Sequence, residues 1–202
     1  MKFFEQVRPL VRKKAERDYA EYQQAKRANS GDAQARLEPW DTMFYEKRLL
    51  KTRYAVDAKK VQEYFPLQRV VDGLFSVTQS LYGLEYRDIT KSAGTKERPL
   101  WHPDVKLYAV IDKAGGTQIG EFYLDLFPRE NKYSHAAQWG LVQHKKWSDG
   151  RIERPLAALV CNFTKPTPDK PSLLTHDEVE TFFHEFGHCL HTILSETDLY
   201  SF

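Results

Sequence analysis

His184-Glu185-Phe186-Gly187-His188 brings two imidazoles and a carboxylate together within one short segment. On an α-helix, residues four apart stand one turn above each other, so His184 and His188 can grip a single metal ion. Glu185 follows one position on, rotated by about 100°, and so stands beside the ion rather than on it. Zinc lowers the pKa of a bound water to roughly 7. A neighbouring carboxylate can then take the proton of that water and hand it to a leaving amine. The chemistry this predicts is hydrolysis of a peptide bond by a metal-bound water. Glu185 is the catalytic base, His184 and His188 are the metal ligands, and one Zn2+ ion is the cofactor. No covalent enzyme intermediate is required. No substrate-binding residue stands out at this level.

These three residues need a helix, and the flanking sequence supplies its signals. Thr175 followed by Glu178 is a capping box. Asp177 and Glu178 fall in the first turn, where the helix dipole favours negative charge. Val179, Phe182, Phe183, Phe186, Leu190, Ile193 and Leu194 step mostly by three and four. The prediction is a helix from about His176 to Leu194. Gly187 inside it costs about 1 kcal/mol relative to alanine, which the close approach of another backbone would explain. Cys189 reads as a small buried apolar residue. Phe182, Phe186 and Leu190 read as a face that packs on helices outside this chain, so poor solubility or self-association is expected.

Two histidines leave a catalytic zinc short of a ligand, because such a site normally takes three from the protein. The metzincin pattern needs a glycine and a histidine where this sequence has His191 and Leu194. On a rigid helix His191 is about 10 Å along the axis from His184, too far to share the ion. Glu196 and Asp198 are the later carboxylates. Glu196 would lie about 12 Å along the axis from His188 if the helix continued, so only a sharp reversal after Leu194 could return either one. The third ligand is therefore expected beyond Phe202.

Upstream, the period of the apolar residues changes along the chain. Phe3, Phe4, Val7, Leu10, Val11, Ala15, Tyr19 and Tyr22 predict an amphipathic helix over 2–28, bent or interrupted at Pro9. Asn29-Ser30-Gly31-Asp32 is a break. Helices follow over about 41–54, 57–64 and 67–84. Leu107 to Ile111 and Gln118 to Phe127, joined by Asp112-Lys113-Ala114-Gly115-Gly116, read as a β-hairpin. Leu156 to Phe163 reads as a third strand, and the proline-rich loop 165–171 cannot be helical. The fold class is α+β, mostly α-helical, with a small sheet preceding the metal-binding helix. Residues 1–100 are expected to be helical, 101–170 to form the small sheet and loops, and 171–202 to form the metal-binding helix, all within one catalytic region.

The 202 residues are 41% hydrophobic and 29% charged, enough for a packed core. A net charge of +2 argues against a dedicated nucleic-acid binder, and the basic residues Arg8, Arg12, Lys13, Lys14 and Arg17 read as a solvated helix face. No apolar run approaches the roughly 20 residues of a membrane helix. Two cysteines, Cys161 and Cys189, make no disulfide framework, which predicts a reducing, cytoplasmic setting.

Thr175 to His188 resembles the metal helix of the thimet oligopeptidase and oligopeptidase A family. Trp101-His102-Pro103-Asp104-Val105, Phe122 to Arg129, Lys132 to Ala137 and Ala158 to Pro166 are similar too. So are Pro39-Trp40-Asp41, Tyr64-Phe65-Pro66-Leu67 and Leu81-Tyr82-Gly83-Leu84, so that the likeness runs from about Pro39 to the end. The resemblance implies a helical zincin-like peptidase with a deep channel that cleaves short peptides. It also implies a glutamate third ligand on the next helix, so that this chain would be an internal fragment, incomplete at both ends, with the remainder of the peptidase as its partner. It further places the strand before Asn162 and Lys165 beside the cleft, where a peptide could add to the sheet edge; a packed strand with a solvated loop is the equal alternative. His102 and His135 read as ordinary loop or core histidines. The competing functional class is a catalytically incomplete fragment or binding module that lacks the third zinc ligand.

Overall fold

A computed structural model describes residues 2–197, and it divides into two compact units, Met1–Ala58 and Lys59–Phe202. The first unit is helical. α1 (Lys2–Ser30) is followed by a 3-10 turn (Pro39–Asp41) and α2 (Thr42–Tyr54). α1 runs unbroken through Pro9, so of the expected bend or interruption the interruption does not occur. Proline removes the bond to the carbonyl of Glu5, and Glu5 is exposed, so water can satisfy that carbonyl. The helix ends two residues later than expected, at Ser30, and Gly31 follows it. Its φ of 70° suits glycine, and its N–H caps the Arg27 carbonyl at 3.0 Å. The buried Gln23 then holds the following loop: its Oε1 accepts from the Leu37 N–H at 2.9 Å, and its Nε2 donates to the Ala35 carbonyl.

The second unit is a sheet with helices on one face. α3 (Ala58–Gln62) begins at the boundary, and α4 (Leu67–Tyr82) buries Leu67, Val70, Val71 and Leu74. The strands are β1 (Leu84–Asp88), β2 (Lys106–Asp112), β3 (Gln118–Asp125), β4 (Ala137–Val142), β5 (Lys145–Lys146), β6 (Ile152–Glu153) and β7 (Leu156–Val160). The main sheet has the order β1-β2-β3-β7-β4, with β5 and β6 forming a separate ribbon. β3 and β7 are parallel, and the other neighbours are antiparallel. The predicted hairpin is β2–β3. Asp112 builds its turn, accepting the Gly115 N–H at 2.9 Å while Gly116 takes a φ of 65°. The structure is thus α+β with a small mixed sheet. The stretch expected to be wholly helical, residues 1–100, also holds β1, in which Leu84 is buried while Arg87 and Asp88 are exposed.

α5 (His176–Leu194) closes the unit. Phe186 is fully buried, with ring centroids 5.9 Å from Phe75, 5.8 Å from Tyr86 and 5.3 Å from Phe122. Burying one such side chain stabilises the fold by about 1.5–3 kcal/mol. A smaller cluster of Val105, Leu107, Tyr123 and Ala158 fills the opposite face of the sheet.

Candidate metal centre

α5 begins and ends where its sequence signals lie. The Thr175 hydroxyl accepts the Glu178 N–H at 3.1 Å, and the Glu178 carboxylate accepts the Thr175 N–H at 2.7 Å. Two otherwise unpaired backbone donors are thereby satisfied. Phe182, Phe186, Cys189, Leu190 and Ile193 are buried. The face expected to await outside helices is therefore already covered by the sheet of this same chain, which overturns that part of the sequence reading. Exposed apolar groups lie elsewhere: at Leu81, Tyr82 and Phe183, and at Phe3, Phe4, Leu10 and Val11 of α1.

With that face turned inward, His184 and His188 are exposed and Glu185 is half-buried at the flank. The two imidazoles approach edge to face, and their Nε2 atoms stand 3.1 Å apart. Two nitrogens sharing one tetrahedral zinc at bonds of about 2.0–2.1 Å stand about 3.3 Å apart. The donor pair thus fits one ion, with Glu185 one step round the helix.

No third ligand joins this pair among the described residues. The one group of three metal-capable side chains there is His176, Asp177 and Glu180, all exposed at the first turn of α5. Its acidic members suit the positive end of the helix dipole without an ion. Glu196 is exposed just past the end of the helix, and Asp198 lies outside the described residues. The chain after Leu194 runs toward the connection between β4 and β5, with the Thr197 carbonyl 3.1 Å from His144 Nδ1.

Two expectations near the site are corrected. Nothing would lie within 4 Å of a side chain at Gly187, so no backbone approaches it among the described residues. The close approach is at Gly120 of β3, where a Cβ would meet Ile193 Cγ2 of α5 at 2.9 Å. Nor does the strand preceding Asn162 form a sheet edge, because β7 is paired on both sides, by β3 and by β4. The edge beside α5 is β4, a strand whose short Ala-Gln-Trp-Gly-Leu-Val sequence carries little alternation. Gln138 of β4 donates to the Thr192 hydroxyl of α5 at 3.0 Å. Thr192 and Glu185 are two helical turns apart and share one stripe, so the edge strand runs along the Glu185 side of the helix.

A buried ionic hub fixes the strand ends nearby. Asp125 accepts two 2.7 Å bonds from Arg129 and one of 2.9 Å from Trp101 Nε1, and it pairs with Lys132 at 2.8 Å. Lys132 Nζ also donates to the carbonyls of Phe127 at 2.6 Å and Cys161 at 2.5 Å, which ties β3 to β7. Burial opposes ionisation of Asp125, yet these hydrogen bonds prevail and hold its carboxyl down at about 2. Burial first, and then the Glu185, Asp125 and Glu178 carboxylates against the opposing Lys132 charge, push the Cys161 thiol up to about 12. Cys189 is likewise raised, by burial.

The remaining sequence candidates are loop residues. His102 Nδ1 accepts the Asp104 N–H at 3.2 Å, Lys165 pairs with Asp104 at 2.5 Å, and Asn162 donates to the Tyr133 carbonyl at 3.0 Å. His135 is exposed beside Tyr133.

The family model described as peptidase family M3 matches residues 1–202. The chain is 47% identical over 155 residues to a thimet-like oligopeptidase of Dictyostelium discoideum, covering 76% of this chain and 22% of that protein. It is 34% identical over 196 residues to oligopeptidase A of Salmonella typhimurium, covering 97% and 28% respectively. A mitochondrial intermediate peptidase of Arabidopsis thaliana is 34% identical over 200 residues, covering 99% and 28%. The chain therefore spans about a fifth to just over a quarter of the length of these curated relatives.

Proposed function

The chain belongs to peptidase family M3, and from that premise we propose that it carries the catalytic helix of a zinc-dependent oligopeptidase with a zincin-like fold. The observation that carries this reading is the pair of Nε2 atoms 3.1 Å apart on the exposed face of α5. His184 and His188 would hold the ion and leave the flank toward Glu185 open. Zinc bound there supplies Lewis acidity, lowering the pKa of a water to about 7 and polarising the scissile carbonyl.

Glu185 then does the proton work. Its carboxylate takes a proton from the attacking water as the new C–O bond forms, and delivers it to the amine as the C–N bond breaks. The free edge of β4 orients the substrate. A short peptide laid along it in extended form exchanges main-chain hydrogen bonds with the strand, on the side of α5 that carries Glu185. The substrates are short peptides, with no role for nucleic acid. No described helix is long and apolar enough to cross a membrane. The two free, buried cysteines suit a reducing compartment, and we place the protein in the cytoplasm.

The third zinc ligand comes from outside residues 2–197, within the remainder of the peptidase. Its absence among the described residues also favours the second reading, in which this segment alone binds metal weakly and cleaves nothing. Two measurements separate these. Glu185→Gln in the peptide-cleaving protein should retain zinc and lose roughly 10²–10⁴-fold in turnover; undiminished turnover would sink the mechanism. Zinc titration of the 202-residue chain then tells whether the segment is complete, because tight one-to-one binding with peptide turnover contradicts the fragment reading.

A further inference from the structure

The outer edge of β4, which no strand pairs with among the described residues, is flanked by an aromatic wall that the catalytic reading does not use. Trp139 and Tyr133 are 49% and 52% exposed. They pack edge to face with centroids 5.8 Å apart, and His135 lies 5.7 Å from Tyr133. Trp139 pairs with Ala158 of β7, which pairs in turn with Tyr123 of β3. Residues opposite one another in a sheet share a face, so Trp139 stands on the face away from α5. Gln138, its neighbour, reaches Thr192 on the α5 face. A single edge strand therefore presents the metal helix on one side and an aromatic wall on the other.

We propose that Trp139, supported by Tyr133, forms a specificity subsite for an aromatic or large aliphatic side chain of an extended peptide. This rests on the reading above in which a peptide pairs with β4. Side chains of a paired strand alternate between faces, and a residue opposite Trp139 has its Cβ about 4.5–5.5 Å away. Every second residue of the peptide then projects to the wall side, and the one opposite Trp139 meets the ring. The residues between project toward α5. An aromatic contact of this kind is worth about 0.5–1.5 kcal/mol beyond area burial, so the preference should be large enough to measure.

The test uses a set of labelled alanine-based octapeptides, each with one phenylalanine moved along the sequence. Binding to the chain is read by fluorescence anisotropy, and cleavage is read separately. The expected result is a roughly three- to tenfold tighter complex at alternate phenylalanine positions. That alternation should be lost in Trp139→Ala and kept in Trp139→Phe. Because Trp139 is half exposed, circular dichroism of Trp139→Ala should match the parent. Absence of peptide binding, a preference without alternation, or alternation that survives Trp139→Ala would each overturn the subsite. Alternation that depends on Trp139 without any cleavage would support the subsite and agree with the reading in which this segment alone cleaves nothing. Cleavage with selectivity independent of Trp139 would do the reverse.

Discussion

His184 Nε2 and His188 Nε2 stand 3.1 Å apart on the solvent side of a helix whose other side is packed against a sheet. The rigidity of that packing would make the pair a preformed half-site for the proposed ion. Because each imidazole would supply one donor, removing either should leave a single, monodentate contact. His188→Ala is expected to weaken zinc binding by at least about 100-fold, read by competition with a chromophoric chelator. Unchanged affinity would place the metal elsewhere, with the exposed cluster of His176, Asp177 and Glu180 as the alternative to test.

Asp125 and Lys132 give the fold a pH signature. The folded-state carboxyl is held at about 2, below the value near 3.9 of an unfolded aspartate. A depressed carboxyl contributes stability that is present above the unfolded value and lost as pH falls through the folded one. The contribution is about 2–3 kcal/mol, fading between about pH 5 and pH 2. Urea unfolding across that range should show it. Asp125→Asn should flatten the profile and cost about 3–5 kcal/mol at neutral pH, since it leaves the buried Lys132 ammonium without its counter-charge. A parallel loss in variant and parent as pH falls would show that other carboxylates govern acid unfolding.

Gly187 offers a test with the opposite sign. Its neighbourhood is open, and glycine in a helix interior costs about 1 kcal/mol relative to alanine. Gly187→Ala should therefore stabilise this chain by about that amount, raising the melting midpoint by a few degrees. A destabilised variant would show that something packs there in solution.

The parts of the fold legible in sequence are those specified by local chemistry. α5 was bounded to the residue because Thr175 and Glu178 cap it and its apolar stripe is long. The β2–β3 hairpin was marked by Asp112 and the paired glycines of its turn. β4 was not legible, since its place is set by pairing with β7, a strand distant in sequence, and Gly140 interrupts any alternation. β1 was obscured by its position directly after α4, where Leu81, Tyr82 and Leu84 prolong the apolar pattern across Gly83. Of the candidate site, the pairing of His184 and His188 on one exposed helix face was readable from spacing alone. The flanking β4 edge was not, because it depends on which strand ends the sheet.

Cys161 and Cys189 allow a probe of how tightly the sheet and α5 close on each other. Both side chains are fully buried, at the junction of β7 and α5. Burial pushes both thiols up, Cys161 to about 12. Only the thiolate attacks an alkylating or disulfide reagent, so both barriers, access and ionisation, must fall together. In the native chain neither cysteine should react with a thiol reagent at pH 8 over the time in which the urea-unfolded chain reacts completely. The rate should follow the unfolding free energy, rising about fivefold for each kcal/mol lost. Phe186→Ala, which empties the aromatic cluster between α5 and the sheet and should cost about 3–5 kcal/mol, should speed both thiols by hundreds of times or more. Prompt reaction of either thiol in the unaltered chain would mean that α5 opens from the sheet locally, and the half-site would then not be rigid.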